Sequence, residues 1–181
     1  MKELLLISSF CSSVLLADAG IYIGTGYAYN SETLSTTNKT ISNNAARIKI
    51  GYGDIKAYAI ELSFDYIDNN KFYFAQNDGE KYGFNIELLK AFDFGIFFNP
   101  FLKAGFGGGY MKTAADLHNQ KLSYGSFNFG VGAFIPLSKH FDLEIAYEYK
   151  NLSYEKLDIT SSLTNPKSDL NIAYCGFNYR F

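Results

Sequence analysis

Apolar and polar residues alternate along most of this chain with the two-residue period of a strand that has two unlike faces. In AYAIELSFDY, residues 57–66, Tyr58, Ile60, Leu62, Phe64 and Tyr66 interleave with Ala57, Ala59, Glu61, Ser63 and Asp65. KYGFNIEL at 81–88 sets Tyr82, Phe84, Ile86 and Leu88 against Lys81, Gly83, Asn85 and Glu87. FDLEIAYEYK at 141–150 sets Phe141, Leu143, Ile145, Tyr147 and Tyr149 against Asp142, Glu144, Ala146, Glu148 and Lys150. A helical period of about 3.6 residues fits none of these segments. The same template predicts eight strands, over 20–29, 45–52, 57–66, 81–90, 100–112, 122–135, 141–150 and 169–181.

The connections alternate in length, which predicts an up-and-down meander with one elaborate end and one tight end. Those after the first, third, fifth and seventh strands are long: NSETLSTTNKTISNN, the stretch from Ile67 to Glu80, TAADLHNQK, and the stretch from Asn151 to Ser168. Those after the second and sixth are the brief GDIK and PLSKH. AFDFGIFFN, after the fourth strand, breaks the short pattern; Pro100 behind it lacks a ladder donor and is expected at a strand start. About eight strands is the number whose closed barrel has an interior just filled by side chains. The expected fold is all-β, an eight-stranded antiparallel up-and-down barrel.

Alternation alone leaves open which face is inside. Glycines gather on the polar face, among them Gly24, Gly26, Gly51, Gly83, Gly105, Gly107, Gly130 and Gly176. Glycine weakens an open, solvated strand but suits a narrow lumen where long side chains need room. The charges on that face nearly cancel: Arg47, Lys49, Lys81, Lys103, Lys150 and Arg180 against Glu61, Asp65, Glu87, Asp142, Glu144 and Glu148. Charges confined in a small lumen must pair. On the apolar face Tyr27, Tyr29, Tyr52, Tyr58, Tyr66, Tyr82, Tyr110, Tyr149 and Tyr179 lie near strand ends, whereas Ile48, Ile50, Ile60, Leu62, Ile86, Leu102, Val131, Leu143 and Ile145 lie nearer the middle. Aromatic girdles around an aliphatic band mark a barrel that spans a bilayer, so the apolar face is expected to meet lipid.

Composition and charge narrow the class further. The 181 residues include 15 Tyr, 17 Phe and 16 Gly, an excess that favours strands. With 16 Lys plus Arg against 18 Asp plus Glu, no basic surface points to a nucleic-acid partner. The start, MKELLLISSFCSSVLLADA, places Lys2 before an apolar stretch and Ala17-Asp18-Ala19 behind it. This predicts a secretory signal over 1–19, cleaved after Ala19, and a barrel domain over 20–181. The apolar stretch is too short for a membrane helix. Cys11 leaves with the signal, so Cys175 has no internal disulfide partner and reads as a small residue on a packed face.

The chain ends on DLNIAYCGFNYRF, with Phe177, Tyr179 and Phe181 at alternate positions. This ending resembles the C-terminal strand of bacterial outer-membrane barrels, which typically finishes on Phe behind alternating aromatic or apolar residues. The resemblance implies that Phe177, Tyr179 and Phe181 are read by the barrel-assembly machinery. NPFLKAGFGGGY at 99–110 and FIPLSKHFDLEIAYEY at 134–149 resemble matching stretches of small OmpA/OmpX-type barrel domains. Full-length OmpA relatives carry a periplasmic peptidoglycan-binding domain behind the barrel, whereas this sequence reaches its eighth strand at Phe181. Anchoring to the cell wall by that route is not expected. The resemblance implies an architecture and a place in the bacterial outer membrane, and no particular activity.

Enzymatic chemistry needs a constellation that the remaining polar residues do not supply. His118 falls in a long connection and His140 in a short one, so they are expected at opposite ends, each without a nucleophile and orienting carboxylate. Lipid A deacylases of similar size place Ser two residues after the catalytic His; Gln120 and Asp142 stand there instead. In GFGGGYMKT, residues 105–113, Met111 rather than Gly precedes Lys112, and the context is a strand, so no phosphate loop is read. Two distant His and one Cys make no metal site, and no cofactor is expected. The carboxylates Glu61, Glu87, Glu144 and Glu148 face matched cations and read as an ion-paired plug. The expected lumenal network is Arg47, Lys49, Glu61, Asp65, Glu87, Lys103, Asp142, Glu144, Glu148 and Arg180. We therefore expect a monomeric structural or surface-interaction protein whose outer loops meet an extracellular or host ligand. The alternative is a narrow channel lined by the same charges, with a lipid-modifying enzyme third.

Overall fold

The computed structural model describes residues 19–68, 79–113, 121–155, 157–159, 162–164 and 166–181. Apart from Ala19, the expected signal 1–19 lies outside the described residues, as does His118. The strands are β1 (Gly20–Leu34), β2 (Lys39–Gly53), β3 (Tyr58–Ile67), β4 (Lys81–Ala91), β5 (Asn99–Lys112), β6 (Lys121–Pro136), β7 (Phe141–Tyr154), β8 (Leu157–Ile159), β9 (Ser162–Thr164) and β10 (Lys167–Arg180). Eight of them close an antiparallel barrel in which each strand pairs with its neighbours in sequence, while β8 and β9 pair only with each other. Closure is made by β1 on β10, in register from Tyr22 opposite Arg180 to Leu34 opposite Ser168. Among the described residues there is no helix.

Two expected loops are strand instead. β1 continues to Leu34 and β2 begins at Lys39, so most of NSETLSTTNKTISNN is a hairpin closed around Ser35 to Asn38, where Asn38 takes φ 51°. Asn is among the few residues that adopt this left-handed conformation readily. β7 similarly runs to Tyr154 and β10 starts at Lys167. The reason is an inversion of facing. Over the lower part of the barrel the outward residues are apolar, as in Ile21, Ile23, Tyr27 and Tyr29 of β1. Above that level the outward positions of β1 and β2 become Ser31, Thr33, Thr40, Ser42 and Asn44, while Leu34 and Ile41 turn inward and are buried. On β7 and β10 the same switch sets Asn151, Ser153, Asp169 and Asn171 outside and Leu152, Leu170 and Ile172 inside. A strand dense in Ser, Thr and Asn reads as loop by composition. Here it is a wall wet on its outside and dry within.

The outward aliphatic band carries aromatic residues at both margins. Toward the long hairpins, the tilted rings of Tyr66, Tyr82 and Tyr110 lie in a row, with centroids 5.4 and 5.0 Å apart. Toward the short connections, Phe141 and Tyr179 meet edge to face at 5.0 Å. Between them Ile48, Ile50, Ile60, Leu62, Ile86 and Leu102 stand exposed on the barrel's outside. The short connections are residues 54–57, 92–98 and 137–140, and Pro100 is the second residue of β5.

Leu62 sits mid-band and faces out, whereas the neighbouring Ser63 faces in and accepts a hydrogen bond from Asn85 Nδ2 at 3.0 Å. Leu62→Arg is expected to destabilise the refolded barrel in lipid vesicles by about 2 to 4 kcal/mol, as a cation at the bilayer midplane does. Ser63→Thr is expected to leave the denaturant midpoint nearly unchanged, and equal effects would reverse the assignment of faces.

Candidate functional site

Small inward residues leave the narrow lumen room for long ones. An added Cβ on Gly51 would overlap the Tyr22 ring, and one on Gly24 would lie 2.8 Å from Lys49 Cε. The filling comes in three levels. At the short-connection end, Tyr22, Ile55, Ala59, Leu89, Ala91, Phe101 and Phe134 are buried, with the rings of Phe101 and Phe134 at 4.7 Å.

The middle level is ionic. Arg47 on β2 reaches Asp65 on β3 with Nε–Oδ1 at 2.5 Å and Nη2–Oδ2 at 3.1 Å, and its other edge grips Glu148 on β7, with Nη2–Oε2 at 2.9 Å. Lys49 holds Glu61 at 2.8 Å and also contacts Glu144 across the lumen. Lys103 on β5 gathers Glu148 at 2.5 Å, Glu87 at 3.1 Å and Glu61 at 3.9 Å. Lys150 joins Asp65 at 3.0 Å and Asn85 Oδ1 at 2.9 Å. Neutral donors complete the mesh: Tyr22 donates to Glu61 at 2.7 Å, and Asn178 Nδ2 to Glu144 at 2.9 Å. Asn128 Nδ2 is shared between Asn85 Oδ1 at 3.0 Å and Glu87 at 3.2 Å. Arg47, Lys49, Glu61, Asp65, Glu87, Lys103, Glu144 and Glu148 thus form one connected set. Asp142 and Arg180 do not join it; Arg180 Nε lies 2.7 Å from Asp142 Oδ2 at the short-connection rim.

The third level joins the polar-face Lys81 to a residue of a segment that composition reads as a connection. Glu32, at the upper end of β1, is fully buried and pairs with Lys81 at 2.7 Å. It also accepts hydrogen bonds from Tyr154 at 2.6 Å and Ser168 at 2.5 Å. The Lys81 ammonium lies 4.8 Å from the Tyr124 ring centroid. Leu34, Ile41, Ile67, Met111, Leu122, Leu152 and Leu170 are buried around this level. Carrying the β1 alternation onward from Tyr22 through Ala28 and Asn30 places Glu32 inward. That continuation was the available signal.

The remaining candidates are dispersed. His140 is at the short-connection end, with Nδ1 2.9 Å from the Arg180 carbonyl and its ring stacked 5.8 Å from Tyr179. Phe177 faces out, Tyr179 packs on Phe181 at 5.1 Å, and the Phe181 amide donates to the Ile21 carbonyl at 3.0 Å. Cys175 is a free thiol on the outer face. No group of His, Cys, Asp and Glu among the described residues could hold a metal. At the long-hairpin rim the exposed Glu80 pairs with Lys112 at 2.5 Å, and this hydrogen bond holds the Glu80 carboxyl below its ordinary value.

An aliphatic outer band, aromatic margins and a filled polar lumen are the parts of a bilayer-spanning barrel. A family model described as outer membrane protein beta-barrel domain matches residues 4–181. The chain belongs to this family. It is an integral barrel of the bacterial outer membrane. Among solved structures it is similar to Neisserial surface protein A, at 16% identity and TM-score 0.70, covering 90% of this chain and 99% of that one. It is similar to Ail, the attachment invasion locus protein of Yersinia pestis, in complex with the heparin analogue sucrose octasulfate. That match has 17% identity and TM-score 0.61, over 90% of this chain and 99% of that one. A third is the outer membrane protein OprG of Pseudomonas aeruginosa, at 15% identity and TM-score 0.57, over 91% and 97% of the two chains. At such identities the structures establish the shared fold alone. Among curated protein sequences none matches significantly.

Removing one partner from a buried ion network leaves the other charges uncompensated, at a cost of about 3 to 5 kcal/mol. Glu148→Gln, which strips the shared partner from Arg47 and Lys103, is expected to lower the unfolding free energy of this outer-membrane barrel by about that amount. Lys112→Gln, at the exposed Glu80 pair, is expected to leave the denaturant midpoint unmoved.

Proposed function

We propose that this barrel is a closed surface-interaction protein, non-conducting and non-enzymatic, whose work is done by the wall and loops at its long-hairpin end. The carrying observation is the lumen, filled by aromatic, ionic and apolar levels in succession. A continuous aqueous path needs unpaired space, and charges that each contact a counter-charge within the bore offer little. In this reading the long-hairpin end faces outward, the short connections face the periplasm, and the monomer is the working unit. The chain is exported by the signal 1–19, and Phe177, Tyr179 and Phe181 present the strand to the assembly machinery.

The upper wall suits recognition. Its outward face is a lattice of hydroxyl and amide groups held on paired strands. Thr33 and Thr40 hydroxyls sit 2.9 Å apart, Tyr147 donates to Asn171 at 2.8 Å, and Asn151 donates to Asp169 at 2.9 Å. Polar groups mounted on a rigid strand ladder lose little entropy on contact, which favours binding by a host or matrix surface. The names of two similar proteins, a Neisserial surface protein and an attachment invasion locus protein, agree with this class of role.

Two measurements test the proposal. The refolded protein in planar bilayers is expected to give no steady conductance steps, whereas ion-selective steps that change on neutralising Lys103 or Glu144 would move the channel reading to the front. Bacteria displaying the protein are expected to adhere to host-cell matrix, and to lose that adhesion when the upper part of the β1–β2 hairpin is replaced by a tight turn in a barrel that still shows heat-dependent gel mobility. Adhesion unchanged by that exchange would overturn the assignment to this wall. Separately, deleting Phe181 is expected to slow assembly in cells while leaving the stability of the inserted barrel nearly unchanged; assembly at the normal rate would remove the signal role from the ending.

A further inference from the structure

The β4–β5 connection is the one short connection whose tip is apolar. Residues 92–98 read Phe-Asp-Phe-Gly-Ile-Phe-Phe, while the other two short connections hold Asp54, Lys56, Ser138, Lys139 and His140. Phe97 is 76% exposed, Phe94 66% and Ile96 49%. The segment is built to hold that display. The Phe92 amide donates to the Pro100 carbonyl at 2.9 Å, and the Gly95 amide donates to Asp93 Oδ1 at 2.9 Å. Gly95, at φ 67°, turns the chain between the two aromatic pairs. Phe92 and Phe94 stack at 6.0 Å, and Phe97 meets Phe98 edge to face at 4.9 Å.

This display continues an interface already described. Directly above it, Leu88 on β4 and Leu102 on β5 face the lipid, and the half-buried Pro100 and Phe98 carry the apolar surface down into the connection. Leu137 is likewise exposed, in the β6–β7 connection that follows next in the strand order. Lys90 marks the level of the headgroups. Its ammonium lies 3.8 Å from the Tyr58 ring centroid and 5.5 Å from that of Phe92. A lysine on an aromatic base, with its stem along apolar surface, has the form of a snorkelling interfacial residue. The acid in the segment, Asp93, is engaged by Lys56 at 3.4 Å and by its own turn, so it brings no lone negative charge toward lipid phosphate.

We propose that residues 92–98 form a membrane-inserted foot. Phe94, Ile96 and Phe97 lie among the phospholipid headgroups and upper acyl chains at the short-connection end, and Lys90 meets a lipid phosphate. The foot gives one side of the barrel a deeper apolar reach than the other sides, and so fixes its depth and tilt. The occupant is lipid rather than a periplasmic protein because the patch is continuous with the lipid-facing band and meets it at a cation on an aromatic shelf.

The chain contains no Trp, so a single substitution makes a site-specific reporter. Phe97→Trp and, as a control in a polar connection, Lys139→Trp would be refolded into phosphatidylethanolamine/phosphatidylglycerol vesicles, with heat-dependent gel mobility verifying each barrel. The Trp at 97 is expected to emit to the blue of the one at 139, to be shielded from aqueous iodide, and to be quenched most by lipids brominated high on the acyl chain, at the depth of about 5 to 10 Å typical of interfacial apolar segments. Adding Lys90→Gln to Phe97→Trp is expected to shift the reporter's depth or reduce its shielding. A folded barrel whose Trp at 97 is as open to iodide as that at 139 would overturn the proposal, and protection appearing only on addition of a periplasmic extract would assign the patch to a protein partner instead.

Discussion

Every backbone donor and acceptor that enters hydrocarbon must find its partner within the protein, and a sheet meets that demand only by closing on itself. Here closure rests on the pairing of the first barrel strand with the last, from Tyr22 opposite Arg180 to Leu34 opposite Ser168. The remaining features follow from that ring. A cylinder of eight strands has a bore only as wide as side chains, so its inward residues must fill it without leaving charges alone. Its outward residues must suit whatever surrounds each level. The glycines are the geometric complement: the Tyr22 ring and the Lys49 stem occupy the space that Cβ atoms on Gly51 and Gly24 would take.

The barrel passes through two solvents, and its strands change their facing code where the solvent changes. In lipid the apolar side is outside and the ionic mesh of Arg47, Lys49, Lys103 and their carboxylates is inside. Beyond the aromatic margin at Tyr66, Tyr82 and Tyr110, Ser, Thr and Asn turn outward and aliphatic residues close the centre, as in an ordinary water-soluble β-protein. The Glu32–Lys81 pair sits inside that upper core, its carboxylate satisfied by Tyr154 and Ser168. A buried pair of this kind is a weak source of net stability. Its geometry is specific, however, because Glu32 on β1 must meet Lys81 on β4 across the bore. A polar rim of paired strands thus continues the barrel beyond the aromatic margin, above a lumen filled by side chains.

Much of this was legible in residue order. Strand period, lumen parity and the aromatic margins are local properties of alternation, and they appear in YAIELSFDY or FDLEIAYEYK without a partner strand. Arg47, Glu61, Lys103 and Glu148 fall on the polar face by parity, and the glycines, the balanced charges and the aromatic margins turn that face inward. The outer hairpin could not, since Ser, Thr and Asn are favoured both in turns and on the wet face of a strand. Only pairing decides between these, as β1 does with β2 up to Leu34 opposite Lys39. Glu32 was missed for the same reason, being part of a segment read as loop.

What the sequence by itself determined is the class of object: an all-β chain, alternation of two faces, eight passes, and a lipid-facing girdle. These depend on which residue types recur at what period, and periodicity survives without coordinates. Which cation holds which carboxylate was decided by the tertiary structure. That Arg47 bridges Asp65 and Glu148 while Arg180 keeps Asp142 at the rim depends on strand stagger and on the reach of side chains across the bore. Those distances exist only once the ring is closed, because residues far apart in sequence become neighbours through the curvature of the sheet.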